Sequence, residues 1–196
     1  MVDTGIIILA AGNSSRLGRP KQLLSYNGKS LICNIFNAAL GTKSNLIVVV
    51  TGCFADEVAQ NLHEKKVDLV YNENWAEGMG SGIVVGLKKL IQLKPEIQNV
   101  ILTVCDQPFV TSDFLSKLLS DKNKSKKTIV SSAYAGTFGT PVLFDKIHFQ
   151  ALLSLKGTEG AKKLLEQLKE DMVSVPFRKG SLDIDTEADY IQLIND

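Results

Sequence analysis

The sequence predicts an α/β fold: one domain over residues 1–196, built as a three-layer αβα sandwich around a mostly parallel, Rossmann-like sheet. Three observations predict it. Short apolar runs alternate with stretches of helical period. The runs are continuous and rich in β-branched residues, as strands buried on both faces are. The length of 196 residues suits one sizeable core and not two.

In chain order, strands are expected over residues 6–10, 46–51, 67–71, 100–104 and 128–132. Helices are expected between them over 30–40, 55–63, 81–93 and 112–119. Strand–helix–strand order with connections of this length implies parallel pairing, with helices covering both faces. The last third is less regular. It offers a short strand over 141–144, an amphipathic helix over 159–170 after the Gly157/Gly160 loop, edge strands over 173–175 and 182–184, and a closing helix over 187–194. The basic run from Lys122 to Lys127 reads as a solvated loop.

Composition excludes several classes. The formal net charge is +1, so an anionic ligand must be held by local charge, and no basic surface for nucleic acid is expected. Cys33, Cys53 and Cys105 are widely spaced, there is no Cys-x-x-Cys, and His63 and His148 are the only histidines. Disulfide frameworks, structural zinc and iron–sulfur clusters are therefore not expected, and reduced thiols are. The apolar run over residues 6–11 follows Asp3 and is far shorter than the roughly 20 residues of a membrane span. A soluble, cytoplasmic protein with no membrane association is the expectation.

In open α/β sheets ligands bind beyond the carboxyl ends of the strands. Three clusters sit there. The first runs Leu9-Ala10-Ala11-Gly12-Asn13-Ser14-Ser15-Arg16-Leu17-Gly18-Arg19-Pro20-Lys21. Small residues let the backbone pass close to a ligand, and their amides can converge on an anion. Ser14 and Ser15 add hydroxyls, and Arg16, Arg19 and Lys21 put three cations within six positions. That combination suits a triphosphate, although a surface loop with incidental basic residues has the same letters. It is not a dinucleotide fingerprint, because G-x-G-x-x-G does not occur. Nor is Gly28-Lys29-Ser30 the end of a P-loop, because Leu23 stands where the first glycine should be.

The second cluster runs from Asn74 to Gly82. Gly78 and Gly80 permit a tight turn and Ser81 is a candidate helix N-cap, where an anion or a ligand carbonyl is favoured. A plain glycine-rich turn would read the same way. The third cluster is carboxylates. Asp106 ends an apolar strand, where a charge needs a partner. A divalent cation is one candidate, and helix capping or backbone amides are the others. In Leu182-Asp183-Ile184-Asp185 the alternation puts both acids on one side. Thr186 and Asp189 could instead make these acids part of a local capping box.

The residues Leu9-Ala10-Ala11-Gly12, Ser14-Ser15-Arg16-Leu17-Gly18 and Lys21, followed by Pro20–Leu24 and Gly28–Ile32, resemble the signature of nucleotidyltransferases with a glycosyltransferase-A-like fold. Within them the chain looks most like the molybdenum cofactor cytidylyltransferase family, since guanylyl-transferring relatives usually carry glycine at the position of Ala11. Asn74–Ser81 and Cys105-Asp106-Gln107-Pro108 match further family segments, and Asp183-Ile184-Asp185-Thr186 matches the family's C-terminal pattern.

The resemblance implies a sheet of the nucleotide-diphospho-sugar transferase type and transfer of CMP, or another nucleoside monophosphate, from a triphosphate to a phosphate acceptor. CTP is the favoured donor and molybdopterin the favoured acceptor. It implies a nucleotide site of Leu9, Ala10, Ala11, Gly12, Ser14, Ser15, Arg16, Lys21, Gly78, Met79, Gly80 and Ser81, with Arg16, Lys21 and Asp106 catalytic. Magnesium would sit on Asp106 and Asp185, with Asp183 in reserve, and a molybdoenzyme or chaperone is an implied partner. Two loops depart from the pattern: Gly139-Thr140-Pro141 stands where the family has Gly-His-Pro, and Gly157-Thr158-Glu159-Gly160-Ala161-Lys162 stands where it has Gly-Asp-x-Gly-Ala-Arg. These departures leave open a sugar- or polyol-phosphate nucleotidyltransferase, or a nucleotide-binding maturation factor without turnover.

Overall fold

The computed structural model describes residues 3–195 except 43, 45, 64 and 66. Its centre is a seven-stranded sheet of β1 (Thr4–Leu9), β4 (Leu46–Thr51), β5 (Asp68–Tyr71), β6 (Asn99–Val104), β7 (Ile129–Tyr134), β8 (Thr137–Asp145) and β9 (Met172–Pro176). The order is β5-β4-β1-β6-β8-β7-β9. β5, β4, β1 and β6 are mutually parallel, β8 is antiparallel to both neighbours, and β9 is parallel to β7. The sheet is thus mostly parallel, as the strand–helix alternation predicted.

Period-2 alternation explains the three layers. Ile6 and Ile8 of β1, Ile47 and Val49 of β4, and Ile101 of β6 join one buried cluster. Ile7, Val48, Val50, Val100 and Leu102 join the other. Both faces being apolar, both need a cover. Helices α1 (Leu31–Leu40), α2 (Ala55–Leu62) and α4 (Ser112–Lys124) cover the first face, with Phe36, Leu62 and Leu115 buried in it. Helices α3 (Met79–Leu93), α5 (Phe149–Leu153) and α6 (Ala161–Gln167) cover the second, with Leu87, Leu152 and Leu165 buried. Helix α7 (Glu187–Asn195) inserts Leu193 into a third cluster with Leu17, Leu24, Leu31 and Ile184. Among the described residues no helix is long and apolar enough to cross a membrane.

The structure differs from the sequence reading in several places. Residues 182–184 form no strand. Ile184 is buried in the third cluster, and its amide donates to the Asp106 carbonyl at 3.0 Å. The alternation was real, but it reflects one buried side chain in an extended segment. Helix α3 begins at Met79, so Gly78 and not Ser81 occupies the cap position. The basic run is part of α4 up to Lys124, and Lys122 pairs with Asp145 at 3.0 Å. The helix expected over 159–170 is shorter and ends in a 3₁₀ turn at Lys169–Asp171. Two elements were not anticipated: α5, and a hairpin of β2 (Ser25–Tyr26) with β3 (Lys29–Ser30). Asn27 and Gly28 form its turn at φ 52° and 75°, which is the Asn-Gly signal for a two-residue hairpin. Ser30 then caps α1 by accepting from the Cys33 amide at 3.3 Å. Gly28-Lys29-Ser30 is therefore a turn and a cap, in agreement with its exclusion as a P-loop.

Candidate functional site

A cleft of about 340 Å³ opens at the carboxyl ends of β1 and β6. Of the expected site residues, Leu9, Ala10, Ala11, Gly12, Lys21, Gly78, Met79 and Asp106 line it, joined by Trp75, Gly82 and Gln22. Ser14, Ser15, Arg16, Gly80, Ser81 and Asp185 lie outside that lining.

The segment after β1 is folded by its own polar groups. Ser14 takes φ 51° and Gly18 φ 75°. The Ser14 carbonyl accepts from Leu17 and Gly18 at 3.0 and 3.1 Å, and its hydroxyl accepts from the Lys21 amide at 3.0 Å. The Ala11 carbonyl accepts from the Cys53 amide at 3.2 Å. Gln22, fully buried, donates from Nε2 to the carbonyls of Ala10 at 2.9 Å and Gly12 at 2.8 Å. Among the described residues nothing accepts from the amides of Ala11, Gly12, Asn13 or Ser14. Of the three cations, Arg19 reaches away to Glu187 at 2.6 Å and lies over the Tyr190 ring. The other two meet the carboxylates.

Lys21 Nζ donates to Asp106 Oδ2 at 2.5 Å and to Asp185 Oδ1 at 2.9 Å, and Arg16 pairs with Asp185 Oδ2 at 2.7 Å. The Ile184–Asp106 backbone bond brings the two acids together from distant parts of the chain. The capping box also forms: Thr186 donates its amide to Asp189 Oδ2 at 2.7 Å, and the Asp189 amide donates to Thr186 Oγ1 at 3.2 Å. Asp189 thus serves the start of α7, and the Asp185 carboxylate faces Lys21 and Arg16. Burial disfavours the Lys21 charge, but Asp106 and then Asp185 more than offset this and hold its pKa above the usual lysine range. Burial also works against Asp185, and Lys21 and Arg16 overcome it, so its carboxyl titrates below the usual range. Asp183 forms no ion pair among the described residues, and Lys21 acts on it only weakly. Burial of its carboxyl, and then the Asp106 charge, push it up to about 6 even though Gln107 hydrogen-bonds it. Burial and Asp106 push the Cys105 thiol up to about 12, so it stays protonated. Among the described residues no three His, Cys, Asp or Glu side chains gather as a metal cage. Two carboxylates around one cation is the densest acidic feature here.

The second cluster is built for close backbone approach. Gly78 sits at φ 120°, and a Cβ there would lie 2.7 Å from the Gly157 carbonyl oxygen and 2.8 Å from Thr158 Cα. The Gly80 amide donates to that same carbonyl at 3.0 Å. The Ser81 hydroxyl accepts from buried Asn72 at 2.8 Å and lies within 2.9 Å of the Gly78 and Asn74 carbonyls. Gly80 and Ser81 therefore hold the turn, while Gly78 and Met79 face the cleft. Neither histidine approaches it in the lining, and His148 is buried against Thr128 and Phe144.

Sequence reasoning quoted Gln22 and Trp75 without giving them roles. Trp75, the chain's one tryptophan, stood next to the glycine turn.

Comparison with known proteins gives the family and the fold. The MobA-like NTP transferase domain matches residues 6–172, a span that ends before Asp183 and Asp185. Purine catabolism protein PucB of Bacillus subtilis is 26% identical, over 94% of this chain and 92% of that protein. Nicotine blue oxidoreductase of Paenarthrobacter nicotinovorans is 27% identical, over 96% and 95%. The crystal structure of Rv0371c from Mycobacterium tuberculosis superposes with a TM-score of 0.87 at 26% identity, covering 100% of this chain and 98% of that one. A structure of Rv0371c described as a complex with manganese superposes at 0.82, with 24% identity over 100% and 99%.

Proposed function

This chain belongs to the MobA-like NTP transferase family, and from that premise we propose that residues 1–196 form one magnesium-dependent nucleotidyltransferase domain. It transfers CMP from CTP to a phosphate acceptor, molybdopterin in the first place, and releases pyrophosphate. The observation that carries the reading is the Lys21 ammonium clasped by Asp106 and Asp185 at the foot of a loop in which, among the described residues, the amides of Ala11 to Ser14 meet no protein acceptor.

In this reaction an acceptor phosphate oxygen attacks the α-phosphorus. A new P–O bond forms there, the bond to the bridging oxygen breaks, and pyrophosphate leaves with that electron pair. The acceptor is already an anion, so no general base is needed. The work is positioning two anions together and neutralising them. The amides of Ala11 to Ser14 receive phosphate oxygens, and Lys21 and Arg16 supply fixed positive charge. Trp75, Met79 and Gly82 offer a small, mostly apolar wall to the base, and the Ala11 methyl favours a cytosine over a guanine. Asp106 and Asp185 are hard oxygen donors already gathered around a cation, so they fit magnesium, whose shell phosphates and water would complete. Bound there, the ion supplies charge to the phosphates as a Lewis acid.

A thermal-shift panel tests the reading: CTP, GTP, ATP and UTP with magnesium, and NADPH because one relative is named an oxidoreductase. A triphosphate at a hundred times its Kd stabilises by about 2.7 kcal/mol. CTP is expected to give the largest shift. A response to NADPH alone would overturn the proposal.

A further inference from the structure

Gln22 carries an inference that rests on the nucleotide reading above. Its carboxamide has two donor hydrogens and one acceptor oxygen, and all are turned on one loop. Nε2 donates to the Ala10 and Gly12 carbonyls at 2.9 and 2.8 Å, and Oε1 faces the Ser14 hydroxyl at 3.5 Å. The side chain is fully buried and so is its bond to the Ala10 carbonyl, so loss of that bond leaves a buried carbonyl unsatisfied.

The consequence follows from the planar trans peptide, in which C=O and the next N–H point in opposite directions. The Ala10 carbonyl shares its plane with the Ala11 amide, and the Gly12 carbonyl shares its plane with the Asn13 amide. Drawing both carbonyls inward turns both amides outward. The Ala11 and Ser14 carbonyls are likewise occupied, by Cys53 and by Leu17 and Gly18. Over residues 10–13 the loop is polarised: the carbonyls of Ala10, Ala11 and Gly12 are taken by the protein, and among the described residues the amides of Ala11, Gly12 and Asn13 meet no acceptor, which is the arrangement of an anion nest.

We propose that Gln22 is the positioning residue of this nest: its buried carboxamide holds the loop in the orientation that presents the Ala11 and Asn13 amides to nucleotide phosphates. It touches no substrate itself. A merely structural Gln22 would support stability and affect every ligand of the cleft alike. A positioning Gln22 affects phosphate binding selectively.

The test is Gln22→Glu and Gln22→Met, titrated separately with inorganic tripolyphosphate and with the nucleoside of whichever triphosphate stabilises the wild type. Quenching of Trp75, the sole tryptophan, reports binding in the cleft. Tripolyphosphate affinity is expected to fall about tenfold or more in both variants while nucleoside affinity changes less than about twofold. Equal losses for both probes, or no loss for either, overturn the assignment. Should the buried substitutions fail to fold, amide NMR of the wild type with tripolyphosphate decides. Saturable shifts at Ala11, Gly12 and Asn13 support the nest, and their silence while other cleft resonances move overturns it. If the wild type binds no triphosphate, the nucleotidyltransferase reading falls. If it binds one and these amides are silent, only the Gln22 assignment falls.

Discussion

The two ends of the sheet hold cavities of different character. At the amino ends of β1 and β6 lies the larger, about 690 Å³, lined by Asp3, Ser44, Leu46, Lys94 and Asn99. At the carboxyl ends lies the cleft of half that size. In the larger one the charges of the described residues are matched one to one: Lys94 with Asp3 at 2.9 Å, and Lys122 with Asp145 at 3.0 Å. Beside the smaller one two carboxylates share a lysine, a third is raised by burial and by an acidic neighbour, and among the described residues the four successive amides of Ala11 to Ser14 meet no protein acceptor. Size does not identify the site. Unbalanced polarity does, because such an arrangement is costly unless a ligand completes it.

The largest effect should come from the shared carboxylates. Asp106→Ala removes the shorter of the two Lys21 contacts and one proposed cation ligand. Turnover should fall at least about a hundredfold, on the order of 3 kcal/mol of barrier by analogy with other deletions of charge-stabilising groups. Far-UV circular dichroism should stay that of the folded protein. Pyrophosphate release measures the first and a thermal melt the second. Near-normal turnover would remove the carboxyl-end cluster from the chemistry.

Much of that cluster was legible in the sequence, for physical reasons. Strands buried on both faces must be apolar, so Ile6–Ile8 and Val100–Leu102 announced both the fold and the sheet end where Ala10–Gly12 and Asp106 emerge. Spacing could not show what each cation meets. Arg19 resembled Arg16 until α7 folded back and took it to Glu187. The strand read over 182–184 shows the same limit: one buried apolar residue between acids looks like alternation, and only the Ile184–Asp106 bond tells it from a ladder. Gln22 was silent because its partners are backbone carbonyls, which have no letter in the sequence.

A smaller effect is expected where the carboxyl-end loops lock together. Gly78→Ala adds a Cβ at φ 120° against the Gly157 carbonyl and Thr158 Cα, both backbone atoms. Either the turn or the 156–160 loop must move, at a cost of about 1–3 kcal/mol. A loss of unfolding free energy of that size in urea, with weaker triphosphate binding, is expected. An unchanged midpoint and unchanged binding would mean that the loops slide freely.

Asp183 sharpens the contrast by pH. Its carboxyl titrates at about 6 in the folded chain against an ordinary value of 3.8. A raised acid binds its proton more tightly folded than unfolded, so its contribution to stability declines as pH rises between about 4 and 6. Asp183→Asn cannot ionise. The variant's Tm should match the wild type below pH 4, exceed it progressively to pH 6 and hold that excess above. A difference independent of pH would show that neither burial nor the Asp106 charge raises the Asp183 carboxyl.

The smallest effect is predicted at the opposite end. Lys94→Met breaks a pair whose side chains are 34% and 47% exposed, so water already screens the attraction. Such pairs contribute about 0–1 kcal/mol, and methionine keeps an unbranched side chain at that place in the cavity wall. The unfolding free energy in urea should change within that range and triphosphate affinity should stay within about twofold. The second measurement matters more. The amino-end cavity is separated from the cleft by the length of β1 and β6, and its charges are already neutralised in pairs. A clear fall in nucleotide affinity on losing Lys94 would mean that the two ends are coupled through the sheet, and unbalanced polarity would no longer suffice to tell the working end from the other.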